Sequence, residues 1–165
     1  MKMEGRQMDT EGLIRDYLEG PHDLRRAVAG LSSEQLRARP IPGRWSVLEV
    51  VCHLADSEQA WCHRMKRTIA EDRPLLIGYD ETRFAASLAY HDHDVEEDLA
   101  LFELLREQMA RVLRLVPAAA WARPAIHSQY GLMTLEDQVR TEVEHVSHHL
   151  KHIEEKRQAL GVTTS

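Results

Sequence analysis

The residues from Thr134 to Gln158 contain neither glycine nor proline, and Leu135, Val139, Val143, Val146, Leu150 and Ile153 recur along them at helical spacing. A chain with such a segment must bury one long apolar stripe, and helices of similar length are its natural cover. Three further segments supply them. Thr10 is expected to cap a helix through Val28 that carries Leu13, Tyr17, Leu24 and Val28 on one face, with Gly20-Pro21 as a point of kinking or splitting. Ser46 and Glu49 form a capping box that opens a helix from about Val47 to Ala70. Its face holds Val47, Val50, Leu54, Trp61, Met65 and Ile69. Glu58 falls inside that stripe, so its carboxylate must be paired, at an interface or near a cation. Asp94 caps a third helix through about Val116, and Thr134 with Asp137 caps the last.

Four such helices predict an all-α fold, a four-helix bundle. Ser32 to Arg39 reads as a short helical turn, Thr82 to Tyr90 as a short helix, and Glu71–Asp80 and Pro124–Met133 as irregular loops. Aromatic residues, which favour strands, make up 5% of the chain, and that scarcity agrees with a helical reading. The expected organisation is a flexible polar leader over residues 1–9 and one domain over residues 10–160.

A net charge of −6 leaves no basic stripe to neutralise phosphates, which argues against nucleic acid as a partner. No apolar run approaches the roughly 20 residues needed to span a bilayer, and no signal-peptide core follows Met1, so no membrane role is expected and the location expected is cytoplasmic. Cys52 and Cys62 would lie about 15 Å apart along one helix, too far to pair, and are expected to be reduced and packed.

Four of the ten histidines lie between Glu144 and Glu154. Helical angles place His145 and His149 at the margin of the core stripe, while His148 points away and His152 lies beside the pair. His53 holds the same angular position on its own helix as His145 does on the last. If those helices are neighbours, the three imidazoles converge at the rim of the bundle, where neutral histidines could bind Zn²⁺ or a similar divalent ion and leave coordination positions open. The competing reading is three solvated or hydrogen-bonded helix histidines. Asp56 and Ser57, one turn beyond His53, are candidates to orient it. His127, from a loop, is a candidate to contact the site. His91 and His93 could chelate a metal, but a polar turn explains them. Glu142-x-x-His145 supplies one half of a di-iron motif, and the second half is missing because Val50 precedes His53 by three residues.

The segments Gly43-Arg44-Trp45-Ser46-Val47, His53-Leu54-Ala55-Asp56-Ser57-Glu58 and His145-Val146-Ser147-His148-His149-Leu150-Lys151-His152-Ile153 resemble the DinB superfamily. Together with Gly78-Tyr79-Asp80-Glu81 and the stretch from His127 to Leu135, they look most like its YfiT-like branch, described as bacillithiol transferases or metal-dependent hydrolases. The resemblance covers about residues 10–156. It implies an up-down-down-up bundle, often a homodimer, with Zn²⁺ or Ni²⁺ held by the histidines that match His53, His145 and His149. It also implies transfer of a low-molecular-weight thiol to an electrophilic small molecule, or hydrolysis of a small substrate. A non-catalytic, stress-related bundle that binds a metal or ligand is the alternative. The branch usually carries an aromatic before the first histidine of the last helix. This chain has Glu144 there, so the pocket wall is expected to differ.

Overall fold

The structure, a computed structural model, describes residues 9–162; the leader expected at the N-terminus lies outside that range except for Asp9. Six α-helices follow in order: α1 (Thr10–Val28), α2 (Ser33–Arg37), α3 (Val47–Ala70), α4 (Glu81–Ser87), α5 (Val95–Leu115) and α6 (Leu135–Ala159). Ser46 with Glu49 and Thr134 with Asp137 form the capping boxes that open α3 and α6, and Asp94 caps α5. The cap of α1 is Asp9 rather than Thr10, because the Asp9 carboxylate accepts the Gly12 backbone N–H at 2.8 Å.

Pro21 does not split α1. It has no N–H for the Tyr17 carbonyl one turn back, and Arg106 of α5 supplies the missing donor, its Nη1 lying 2.8 Å from that oxygen. Gly20 leaves room for the same guanidinium, since a Cβ there would come within 2.3 Å of Arg106 Nη1. The Gly-Pro step is thus the seat of a buried arginine.

Side-chain pairs fix the directions of the helices. Cys52 meets Asp98, Glu58 meets Arg106 and Lys66 meets Gln108, so α3 and α5 run parallel. Arg25 reaches Glu96 while Glu11 reaches Arg114, which sets α1 antiparallel to α5. His53 meets His145 while Thr68 meets Gln138, and α3 is therefore antiparallel to α6. The result is an up-down-down-up four-helix bundle, with residues 71–94 making the long crossover between the two parallel neighbours.

The core is in two pieces. One groups Leu24, Val47, Leu48, Val50, Val51, Leu54, Leu99, Phe102, Val146 and Ile153; the other groups Ile14, Tyr17, Trp61, Met65, Met109, Leu113 and Val139. Between them lies a polar layer of Glu58, Arg106 and Glu142, each at most 1% exposed.

The two segments read as irregular loops form a small sheet instead. β1 (Leu75–Leu76) pairs in parallel with β2 (Pro124–His127), which pairs antiparallel with β3 (Gly131–Thr134). Leu76, Ala125 and Met133 face inward, while Leu75, Ile126 and Leu132 stand in register across the outer face. Arginines hold the incoming strand: Arg67 donates to the Leu75 carbonyl at 2.8 Å and Arg64 to that of Ile77 at 2.7 Å. No helix is long and apolar enough to cross a membrane among the described residues.

Candidate metal centre

His53 projects from the middle of α3, and His145 and His149 project from successive turns of α6, so two antiparallel helices aim three rings at one point. The His145 Nε2 lies 3.1 Å from the His53 Nε2 and 3.0 Å from that of His149. Burial removes water from all three and disfavours their charged forms, which pushes the pKa of His53 down to about 4. His145 falls to about 3 and His149 to about 2, where the neighbouring imidazoles add to the burial. All three rings are therefore neutral at physiological pH. A neutral imidazole offers one proton or one lone pair at Nε2, so hydrogen bonding cannot satisfy His145 toward two neighbours at once. A cation at the common point can.

The donor set suits one. Three nitrogens at about 2.0–2.1 Å from a tetrahedral zinc would be about 3.3 Å apart, close to the separations found. The Nδ1 atoms of all three rings are buried without a partner, which is compatible with protons there and lone pairs at Nε2. Glu142 lies beneath His145, its Oε1 3.8 Å from Nδ1 and likewise without a partner. Burial and the adjacent Glu58 push the Glu142 carboxyl well above the usual range.

This polar layer supports the histidine floor. Arg106 donates through Nε to Glu58 at 2.8 Å and through Nη2 to the Glu142 backbone carbonyl at 2.9 Å, while the Tyr17 hydroxyl donates to the other Glu58 oxygen. The need for a partner at Glu58 is met by an arginine from α5.

Of the three, His145 lines a cleft of about 340 Å³ whose walls include Trp61, Arg64, Tyr79, Glu81, His127 and Tyr130. The Glu81 carboxylate, at the first turn of α4, stands 3.6 Å from the His53 Nε2. His127 is buried and stacks on Trp61 with ring centroids 5.4 Å apart. Its Nδ1 accepts the backbone N–H groups of Gln129 and Tyr130 at 3.2 and 3.3 Å, which leaves the proton on Nε2. Ser57 and Glu144 also line the cleft.

Other sequence candidates lie elsewhere. Asp56 accepts the Tyr90 hydroxyl at 2.5 Å rather than orienting His53. His152 faces His148 at 3.1 Å and bonds Glu155 at 3.2 Å, outside the cleft. His91 pairs with Glu49. His93 forms a compact group with Cys52 and Asp98, in which Asp98 Oδ2 takes both the His93 Nδ1 at 2.9 Å and the Cys52 Sγ at 3.2 Å. Burial, then the Asp98 charge, push the Cys52 thiol far up, and burial does the same at Cys62. Neither cysteine is an accessible thiolate.

Sequence reasoning gave no site role to Arg64, Tyr79 or Glu81. Arg64 stands on α3, whereas Tyr79 and Glu81 reach the cleft because the crossover after α3 folds back over it, and helical periodicity carries no record of that path.

Comparison with known proteins points the same way. The DinB superfamily model matches residues 17–153. A Bacillus licheniformis protein provisionally named a metal-dependent hydrolase is 32% identical over 160 residues, covering 96% of this chain and 91% of the relative. The Bacillus subtilis protein YfiT, with the same provisional name, is 31% identical over 144 residues, covering 87% of this chain and 81% of that protein. The solved structure of YfiT, described as having an unusual four-helix bundle topology, superposes with a TM-score of 0.89 at 28% identity and covers 99% of this chain and 95% of that one. A mycothiol-dependent maleylpyruvate isomerase shares the fold at a TM-score of 0.71 and 14% identity, over 87% of this chain and 60% of the isomerase.

Proposed function

Since the chain belongs to the DinB superfamily, and its relatives carry the name of metal-dependent hydrolases, we propose that it is an enzyme whose divalent ion, Zn²⁺ or Ni²⁺, is held by His53, His145 and His149. The observation that carries this reading is the convergence of three neutral Nε2 atoms at a point where one of their rings, His145, lines an open cleft. A bound ion would supply Lewis acidity, lowering the pKa of a thiol or water at the centre.

The chain's own residues define the rest of the chemistry. Cys52 and Cys62 are buried and protonated, so the nucleophile comes from outside, as a low-molecular-weight thiol or as water. Glu81 is placed to accept its proton, with Oε2 beside the histidine cluster and open to solvent. The nucleophile then bonds to carbon of a small electrophile as the bond to a chloride or epoxide oxygen breaks; the proton leaves through Glu81. His127, which lines the same cleft, carries its proton on a buried Nε2 that has no protein partner. Trp61 and Tyr130 supply flat apolar surface for the organic part of the substrate.

The thiol reading is tested by incubating the metal-loaded protein with bacillithiol, mycothiol, glutathione or cysteine and a chlorinated or epoxide electrophile. Thiol loss above the metal-free control is the expected result. Hydrolysis of the electrophile without thiol loss would assign water as the nucleophile. No turnover with either, in protein shown to contain metal, would favour a non-catalytic binding bundle.

A further inference from the structure

Arg64 is 7% exposed and lines the cleft, yet it forms no ion pair among the described residues. Its Nη2 donates to the Ile77 carbonyl at 2.7 Å, leaving the Nε and Nη1 protons without a protein acceptor. Its Cζ lies 4.7 Å from the centre of the Trp61 ring and 5.9 Å from that of Tyr79, so two aromatic rings hold the guanidinium in place. Burying a cation without a counter-charge is costly, and burial does push the Arg64 pKa down. The fork is fixed and incompletely bonded.

We propose that Arg64 is the subsite for a carboxylate on the substrate, which it anchors in the cleft beside the three histidines. This names the substrate class within the function proposed above and rests on it. A planar guanidinium edge matches a carboxylate in shape and forms strong charge-assisted hydrogen bonds with it. A singly charged group fits the setting better than a phosphate dianion, because Glu81 and Glu144 already place negative charge at the rim of the cleft. The aromatic walls around Trp61 and Tyr130 would then hold the rest of the molecule between the carboxylate and the reacting end.

The test uses two probes with the same thiol and amide, N-acetylcysteine and N-acetylcysteamine, which differ by one carboxylate. Both are titrated calorimetrically into the metal-reconstituted full chain, its R64Q and R64K variants, with metal content measured on each sample. The unsubstituted chain should bind N-acetylcysteine at least about tenfold more tightly, as expected for one charge-assisted bidentate contact. R64Q should reduce that preference to within about twofold, and R64K should keep part of it through its charge alone. A preference unchanged in R64Q, or none in the unsubstituted chain, overturns the assignment. Should R64Q not fold, the side-chain ¹⁵Nε resonance of Arg64 in the unsubstituted chain decides: it must respond to N-acetylcysteine and not to N-acetylcysteamine, and equal or absent responses contradict the proposal. A carboxylate preference in protein that takes up no metal would support Arg64 and overturn the metal reading. Full metal occupancy without a preference would overturn Arg64 alone.

Discussion

At the scale of single residues, charge is controlled by burial and by the nearest partner. His53, His145 and His149 lose their protons because water is kept from them, whereas the exposed side chain of Glu81 stays beside them as an acceptor. E81Q should therefore lower kcat/KM by about 100-fold while metal content is unchanged, a split measured by steady-state kinetics with elemental analysis. His93 behaves in the opposite sense. Its hydrogen bond to Asp98 outweighs burial and raises its pKa above the ordinary 6.5. The protonated form is favoured by folding, so the pair's contribution is complete below the unfolded pKa and fades as pH rises through the raised folded value. H93Q should lose more stability at about pH 5.5 than at about pH 8.5 in denaturant titrations. The convergence of His53, His145 and His149 was legible in the sequence at this scale, because helical angle alone places them at the edge of a core stripe. For Asp56, a candidate to orient His53, the angle says nothing of Tyr90, which arrives from the crossover and donates its hydroxyl to that carboxylate.

Among the elements, the four long helices and most of their caps follow from residue type and spacing, since Ser46–Glu49, Asp94 and Thr134–Asp137 each satisfy backbone donors locally. The small sheet was not legible. Its strands are two to four residues long, too short to show alternation, and β1 meets β2 across about fifty residues of chain. Gly20-Pro21 illustrates a local signal with a distant cause. Locally it breaks a helix; in the bundle it exposes the Tyr17 carbonyl and leaves space for Arg106. G20A should consequently lower stability by about 1–3 kcal/mol, against the gain of about 1 kcal/mol that alanine ordinarily brings to a helix, because its methyl group collides with a fixed guanidinium. Urea denaturation measures this, and an increase in stability would contradict the packing described.

The molecule as a whole is a bundle with a polar layer through its middle and a site on one side of that layer. Arg106 ties α5 to α1, α3 and α6 through Tyr17, Glu58 and Glu142. R106M keeps the approximate volume but leaves Glu58 buried without its cation, and should cost about 3–5 kcal/mol. The same variant should weaken metal uptake, because Glu142 and His145 lose their support from below. Glu58 could be read in the sequence as a carboxylate in need of a partner, but not which partner, since Arg106 comes from a helix 48 positions away. The cleft was the least legible feature, being assembled from α3, α4, α6 and the turn between β2 and β3. Everything proposed for function depends on the ion at the histidine cluster, and elemental analysis of the purified and reconstituted protein tests that most directly. The account predicts about one equivalent of zinc or nickel per chain, retained in the double variant H148A/H152A and lost in H53A, H145A and H149A with helical circular dichroism intact. Less than about half an equivalent in the unsubstituted chain, or retention of the ion in the three single variants, would contradict it.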